Sequence, residues 1–83
     1  MNDNVTDAEL FGERIRVLRT ARGLTQERLA GKADLTTGFV NSVEHGRKVP
    51  SLTTILKLAR ALEVDAADLF SGFTLGALRK MKL

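Results

Sequence analysis

The sequence predicts an all-α protein, a compact bundle of five short helices followed by a short helical extension. Two observations carry this expectation. Thr, Ser or Asp stands just before each apolar-periodic stretch, and Gly follows some of them, which are the residue types that satisfy free backbone groups at helix starts and tolerate left-handed geometry at helix ends. No run of alternating apolar and polar residues rich in valine, isoleucine and aromatics points to a sheet.

The elements follow in order. A first helix is expected from about Asp7 to Arg22, with Asp7 or Thr6 as N-cap, Phe11, Ile15 and Leu18 as its buried stripe, Arg14, Arg16 and Arg22 outward, and Gly23 as its stop. Thr25 caps a second, Gln26 to about Ala33, with Leu29, Ala30 and Ala33 inward. After the break at Asp34-Leu35, Thr36 caps a third, Thr37 to about His45, with Val40 and Val43 inward and Gly46 after it. Ser51 caps a fourth, Leu52 to about Glu63, whose expected stripe is Leu52, Ile55, Leu56, Ala59 and Leu62. Asp65 caps one further turn ending near Phe70, and Ser71-Gly72 separates it from the apolar-basic segment Phe73 to Leu83.

Eighty-three residues fill one core, so residues 7–70 are expected as the domain and 71–83 as a C-terminal extension that contributes to dimerisation. The chain has no cysteine and one histidine, His45, which disfavours disulfides, thiolate chemistry and a shared metal; no metal or cofactor is expected. No membrane span or signal peptide is visible, and a cytoplasmic protein is expected. Net charge is +3 and unevenly spread: Asp3, Asp7 and Glu9 lie at the start, whereas Arg47 and Lys48 share one connection and Arg79, Lys80 and Lys82 crowd the end. A polyanionic partner suits that balance.

Two short helices joined by a tight turn, the second exposing small polar side chains, are what the DNA major groove admits. The stretch Gly23-Leu24-Thr25-Gln26-Glu27-Arg28-Leu29-Ala30, then Leu35-Thr36-Thr37-Gly38-Phe39-Val40-Asn41-Ser42-Val43-Glu44-His45-Gly46-Arg47, then Pro50-Ser51-Leu52, resembles the lambda-repressor-like, or XRE, family of helix-turn-helix regulators. It is also similar in length and pattern to the controller proteins of restriction-modification systems and to phage repressors. The resemblance implies a five-helix fold whose second and third helices meet DNA.

Carried over by residue, the resemblance puts Thr37, Gly38 and Ser42 at base-reading positions, flanked by Thr36 and Asn41, and Gln26 at a phosphate. Hydroxyls read bases ambiguously, and Asn41 alone among these has the amide that pairs bidentately with adenine. Gly38 departs from the usual pattern: either it allows close backbone approach or the helix tolerates it without gain. Phe39 stands where many relatives carry tyrosine and is expected to pack. Arg47 and Lys48, with Ser51 and Thr53 at the next helix start, are expected to clamp phosphate. His45 is expected either at phosphate or against the carbonyl end of its own helix. Arg19 and Glu44 match a structural ion pair of the family, and Asp34 replaces the turn's usual glycine.

The resulting expectation is a sequence-specific DNA-binding transcriptional regulator, not an enzyme, acting as a homodimer on a palindromic operator in double-stranded DNA. The alternative is an interaction protein on the same fold, an antitoxin or an adaptor, and RNA polymerase or a toxin are the protein partners compatible with the chain. The expected dimer surface is Leu69, Phe70, Phe73, Leu75 and Leu78, because the C-terminal segment is more apolar than a solvated tail requires.

Overall fold

A computed structural model describes residues 5–83. Asp3, one of the acidic residues at the start, lies outside the described residues. Five α-helices and one 3-10 turn make up the described chain, with no strand among those residues: α1 (Asp7–Ala21), α2 (Gln26–Ala33), α3 (Thr37–Glu44), α4 (Leu52–Leu62), the 3-10 turn Ala66–Phe70, and α5 (Leu75–Lys80).

Hydroxyl caps start every α-helix. Thr6, not Asp7, caps α1, and it forms a capping box in which its hydroxyl accepts from the Glu9 amide while the Glu9 carboxylate accepts from the Thr6 amide. Thr25, Thr36, Ser51 and Thr74 accept from the amides of Arg28, Phe39, Thr54 and Ala77 in the same way. Asp65 is the exception: its side chain makes no cap bond, and only its backbone carbonyl is used, by the Asp68 amide at 2.9 Å. Helix ends use left-handed residues. Gly23 and Gly46 take φ of 69° and 72°, and Asp34 and Glu63 both take 57°, so the aspartate that replaces glycine in the turn adopts the glycine conformation.

The core is built from Phe11 and Ile15 of α1, Leu29, Ala30 and Ala33 of α2, Val40 and Val43 of α3, Leu58, Ala59, Ala61 and Leu62 of α4, and Leu69. Two expectations are corrected here. On α4 the buried face runs through Ile55, Leu58, Ala59 and Leu62, whereas Leu52 is 70% and Leu56 48% exposed. Apolar residues occupy most of this helix, so two faces fit helical spacing, and packing against α2 and the 3-10 turn selects the one that includes Leu58. Leu69, expected at a dimer surface, is fully buried where the 3-10 turn packs between α1 and α4. It is a core residue of the single chain.

α5 is different in kind. It has no buried residue, and Leu75 is 62% exposed and Leu78 39%. Phe73, just before it, does pack on the core, and Phe70 joins Phe11 to Phe73 through ring contacts at 5.6 and 5.9 Å.

Arginines of α1 tie down distant chain ends. Arg14 Nε donates to the Asp68 carbonyl oxygen at 2.8 Å, and Arg22 Nη2 donates to that of Glu63, the residue ending α4, at 2.9 Å. Both place a cation at a carbonyl-rich end. Arg16 pairs instead with Glu13 one turn back, holding that carboxyl below its usual range, but both groups are exposed and the pair adds little.

The tightest approach joins α1 to the end of α3. Gly12 is buried there, and a Cβ on it would lie 2.1 Å from the Val43 carbonyl oxygen and 2.8 Å from that of Glu44. Only glycine fits, because the obstacle is backbone. Gly12→Ala should therefore cost about 3 kcal/mol, as overpacking does. Gly31→Ala, on an exposed face where nothing lies within 4 Å of an added Cβ, should be neutral or stabilise by up to about 1 kcal/mol. Thermal melts followed by circular dichroism separate the two; equal melts would contradict the close approach.

Candidate nucleic-acid interface

α2, the Asp34 turn and α3 form the helix-turn-helix. The turn is closed by the Leu35 amide donating to the Ala30 carbonyl oxygen at 2.9 Å, with Asp34 left-handed between them. Residues of a helix step about 100° around its axis. Burial of Val40, Val43 and Glu44 therefore leaves Gly38, Asn41 and Ser42 on the half of α3 that faces away from the core, while Thr37, one step round from Glu44, is exposed because it begins the helix. Thr36, Thr37 and Gly38 are exposed, and Asn41 and Ser42 half-buried. The five expected base-reading residues run from the cap of α3 through its second turn.

Gly38 sits in the middle of that face, and a Cβ there would meet nothing within 4 Å. No packing inside the chain requires glycine at this position. The backbone of α3 is bare at this point and open to the outside.

Behind this face a polar network joins three helices. Glu44, whose side chain is 1% exposed, accepts from Arg19 Nε at 2.6 Å on one oxygen and from Arg19 Nη2 at 3.2 Å on the other. Arg19 Nη1 donates to the Leu24 carbonyl oxygen at 2.7 Å. Every charged atom finds a partner, as burial of a pair demands. The expected ion pair is thus present. Beyond the expectation, Gln26 Nε2 donates to Glu44 Oε1 at 3.0 Å, and Asn41 Nδ2 donates to Gln26 Oε1 at 3.2 Å. Gln26 stands at the start of α2, as expected for a phosphate contact, but its amide is turned toward Glu44 and Asn41 and keeps one N–H outside these bonds.

The remaining candidates surround α3. Arg47 and Lys48 are exposed in the loop after it, and the Arg47 amide donates to the Ser42 carbonyl oxygen at 2.8 Å, which binds that loop to α3. Lys48 Nζ lies 5.9 Å from the Phe39 ring centre, while Phe39 packs against the core as expected. Ser51 and Thr53 are exposed at the start of α4. His45 Nδ1–H donates to the Asn41 carbonyl oxygen at 2.8 Å, so its ring lies against the C-terminal end of α3 and turns Nε2 away from this bond.

Two features escape sequence reasoning. Gly12 gives no local signal, because its requirement comes from α3, distant in sequence. The Gln26–Asn41 bond spans 15 positions and is visible in the sequence only as two amides near one motif.

The chain belongs to the helix-turn-helix domain family, whose model matches residues 10–70. Among its relatives, the control protein C.BamHI of Bacillus amyloliquefaciens is 34% identical over 74 residues, which is 88% of this chain and 91% of that protein. The crystal structure of the restriction-modification controller protein C.AhdI from Aeromonas hydrophila superposes with a TM-score of 0.76 at 48% identity, covering 77% of this chain and 97% of that one. The clp gene regulator ClgR of C. glutamicum gives a TM-score of 0.74 at 28% identity, covering 92% and 94%. Fold and family therefore agree with the resemblance read from the sequence, and the family is one of DNA-binding regulators rather than enzymes.

Gly38→Ala separates folding from recognition. The alanine should stabilise α3 by about 1 kcal/mol, since glycine inside a helix is costly and the site is open. DNA binding should nonetheless weaken. A melt paired with a gel-shift titration tests this, and an alanine variant that is both more stable and equally tight would remove Gly38 from the interface.

Proposed function

We propose that the protein is a sequence-specific transcriptional regulator of the restriction-modification controller type, which binds a palindromic operator as a homodimer in the cytoplasm. The observation that carries this reading is the outward half of α3, where short polar side chains surround a bare glycine. Major-groove width, about 12 Å, suits one such helix. Thr37, Ser42, Thr36 and Asn41 read base edges, and the backbone at Gly38 approaches them closely. Arg47, Lys48 and the starts of α2 and α4, at Gln26 and at Ser51 and Thr53, hold phosphates and fix the register. The similarity to C.AhdI, which spans almost all of that protein, supports the controller reading over an antitoxin or adaptor.

A single two-turn helix touches too few base pairs to select a genomic site, so two subunits reading half-sites about 34 Å apart complete the address. The surface for the second copy differs from the sequence expectation because Leu69 is excluded. Six of the exposed apolar residues fall in two stretches, Val49, Leu52 and Leu56 around the start of α4, and Phe70, Leu75 and Leu78 toward the C-terminus. Val49 and Phe70 line one groove with Pro50, Ile55 and Phe73, which makes the two groups continuous.

Sedimentation at tens of micromolar should give twice the monomer mass, and Leu75→Asp with Leu78→Asp should give a monomer that still melts cooperatively, with a midpoint no longer dependent on protein concentration. A wild-type monomer, or a charged double variant that still dimerises, would contradict the surface. Selection from random duplex DNA should return a palindrome. Binding to it should weaken steeply with salt, and Arg47→Ala with Lys48→Ala should lower the log–log slope by roughly 0.9 for each phosphate that the loop no longer neutralises. An unchanged slope would take the loop out of the interface.

A further inference from the structure

Each amide in the network behind α3 has only one way to point. Glu44, paired with Arg19, is a carboxylate and accepts without donating, so the atom that Gln26 turns toward it is Nε2. Gln26 Oε1 is thereby left facing α3. An oxygen there takes only a donor, and Asn41 supplies Nδ2 at 3.2 Å. The polarity of the Asn41 amide is set two hydrogen bonds away, by a buried charge.

We propose that Asn41 reads adenine and that Gln26, oriented by Glu44, is the positioning residue that fixes its amide for that contact. With one N–H given to Gln26, Asn41 keeps its second N–H and Oδ1, one donor and one acceptor. Adenine is the base that offers the complementary pair in the major groove, an acceptor at N7 beside the N6 amino donor, whereas guanine offers two acceptors there. Asn41 lies one turn beyond Thr37, so the two side chains are neighbours along α3. Tethering also removes rotamer freedom before binding, which lowers the cost of ordering the contact. The proposal rests on the regulator reading above, and it adds the base and the residue that enforces it.

The test is selection from random duplex DNA, followed by competition binding, with wild type, Asn41→Ala, Gln26→Ala and the double variant. Wild type should prefer adenine at one position of each half-site by roughly tenfold. Asn41→Ala should lose that preference. Gln26→Ala, which leaves Asn41 in place, should weaken it several-fold at the same position only, while the positions set by Thr37 and Ser42 keep their preferences. The double variant should match Asn41→Ala at that position. Asn41→Asp, which sets a second oxygen against Gln26 Oε1, should also lose adenine. Melts of all four variants establish that each is folded.

Failure is readable at two levels. If wild type selects no sequence, the regulator reading falls and the tether with it. If wild type selects a site but Gln26→Ala retains full adenine preference, or weakens all sequences equally, the tether alone is overturned.

Discussion

The buried carboxylate of Glu44, at the point where α1 crosses the end of α3, is the interaction on which the rest of this structure depends. α3 spans only Thr37–Glu44, and two helical turns are marginal in water without packing. Gly12 lets the α1 backbone reach the carbonyl end of α3, and Arg19 reaches along α1 to hold Glu44 in two-pronged geometry. Removing either charge would leave the other unpaired in the interior, a loss of about 3–5 kcal/mol. The pair is therefore less a source of net stability than a constraint on where the end of α3 sits against α1.

That constraint explains how so small a domain presents a rigid surface. Apolar residues from α1, α2, α3 and α4 hold the helices together without direction, while the network from Arg19 through Glu44 and Gln26 to Asn41 supplies direction. The outward half of α3 carries the opposite design. Its side chains are short, Gly38 in its first turn carries none, and the helix gives up as much as about 1 kcal/mol there relative to alanine. Such local weakness beside a rigid support fits a surface shaped for a partner rather than for stability.

Local chemistry is legible in the sequence to the degree that it is local. The hydroxyl caps before α2, α3 and α4 fall at the residues read as caps, and Gly23 and Gly46 end their helices with positive φ. Asp34 is readable as a turn residue because its side chain tolerates left-handed geometry. The Arg19–Glu44 pair is legible only through family resemblance, since nothing in a one-dimensional pattern joins positions 25 residues apart. Where the sequence misleads, tertiary packing decides. α4 is apolar on more than one face, so periodicity does not distinguish Leu58 from Leu56, and Leu69 sits in a 3-10 turn with no helical stripe to mark its inward side. Of the candidate site, the exposed face of α3 is readable and the orientation of Gln26 is not, because amide orientation is fixed by a partner on another helix.

Residue-resolved mapping of the DNA-bound surface tests the central claim most directly, that the outward half of α3 is the surface the buried network presents. Amide chemical shifts of the labelled protein, followed while a selected duplex is added, give that map. The account predicts the largest changes at Thr36, Thr37, Gly38, Asn41 and Ser42, with smaller ones at Gln26, Arg47, Lys48 and Thr53. Changes centred on α5 or the Phe70 groove, with α3 undisturbed, would contradict it.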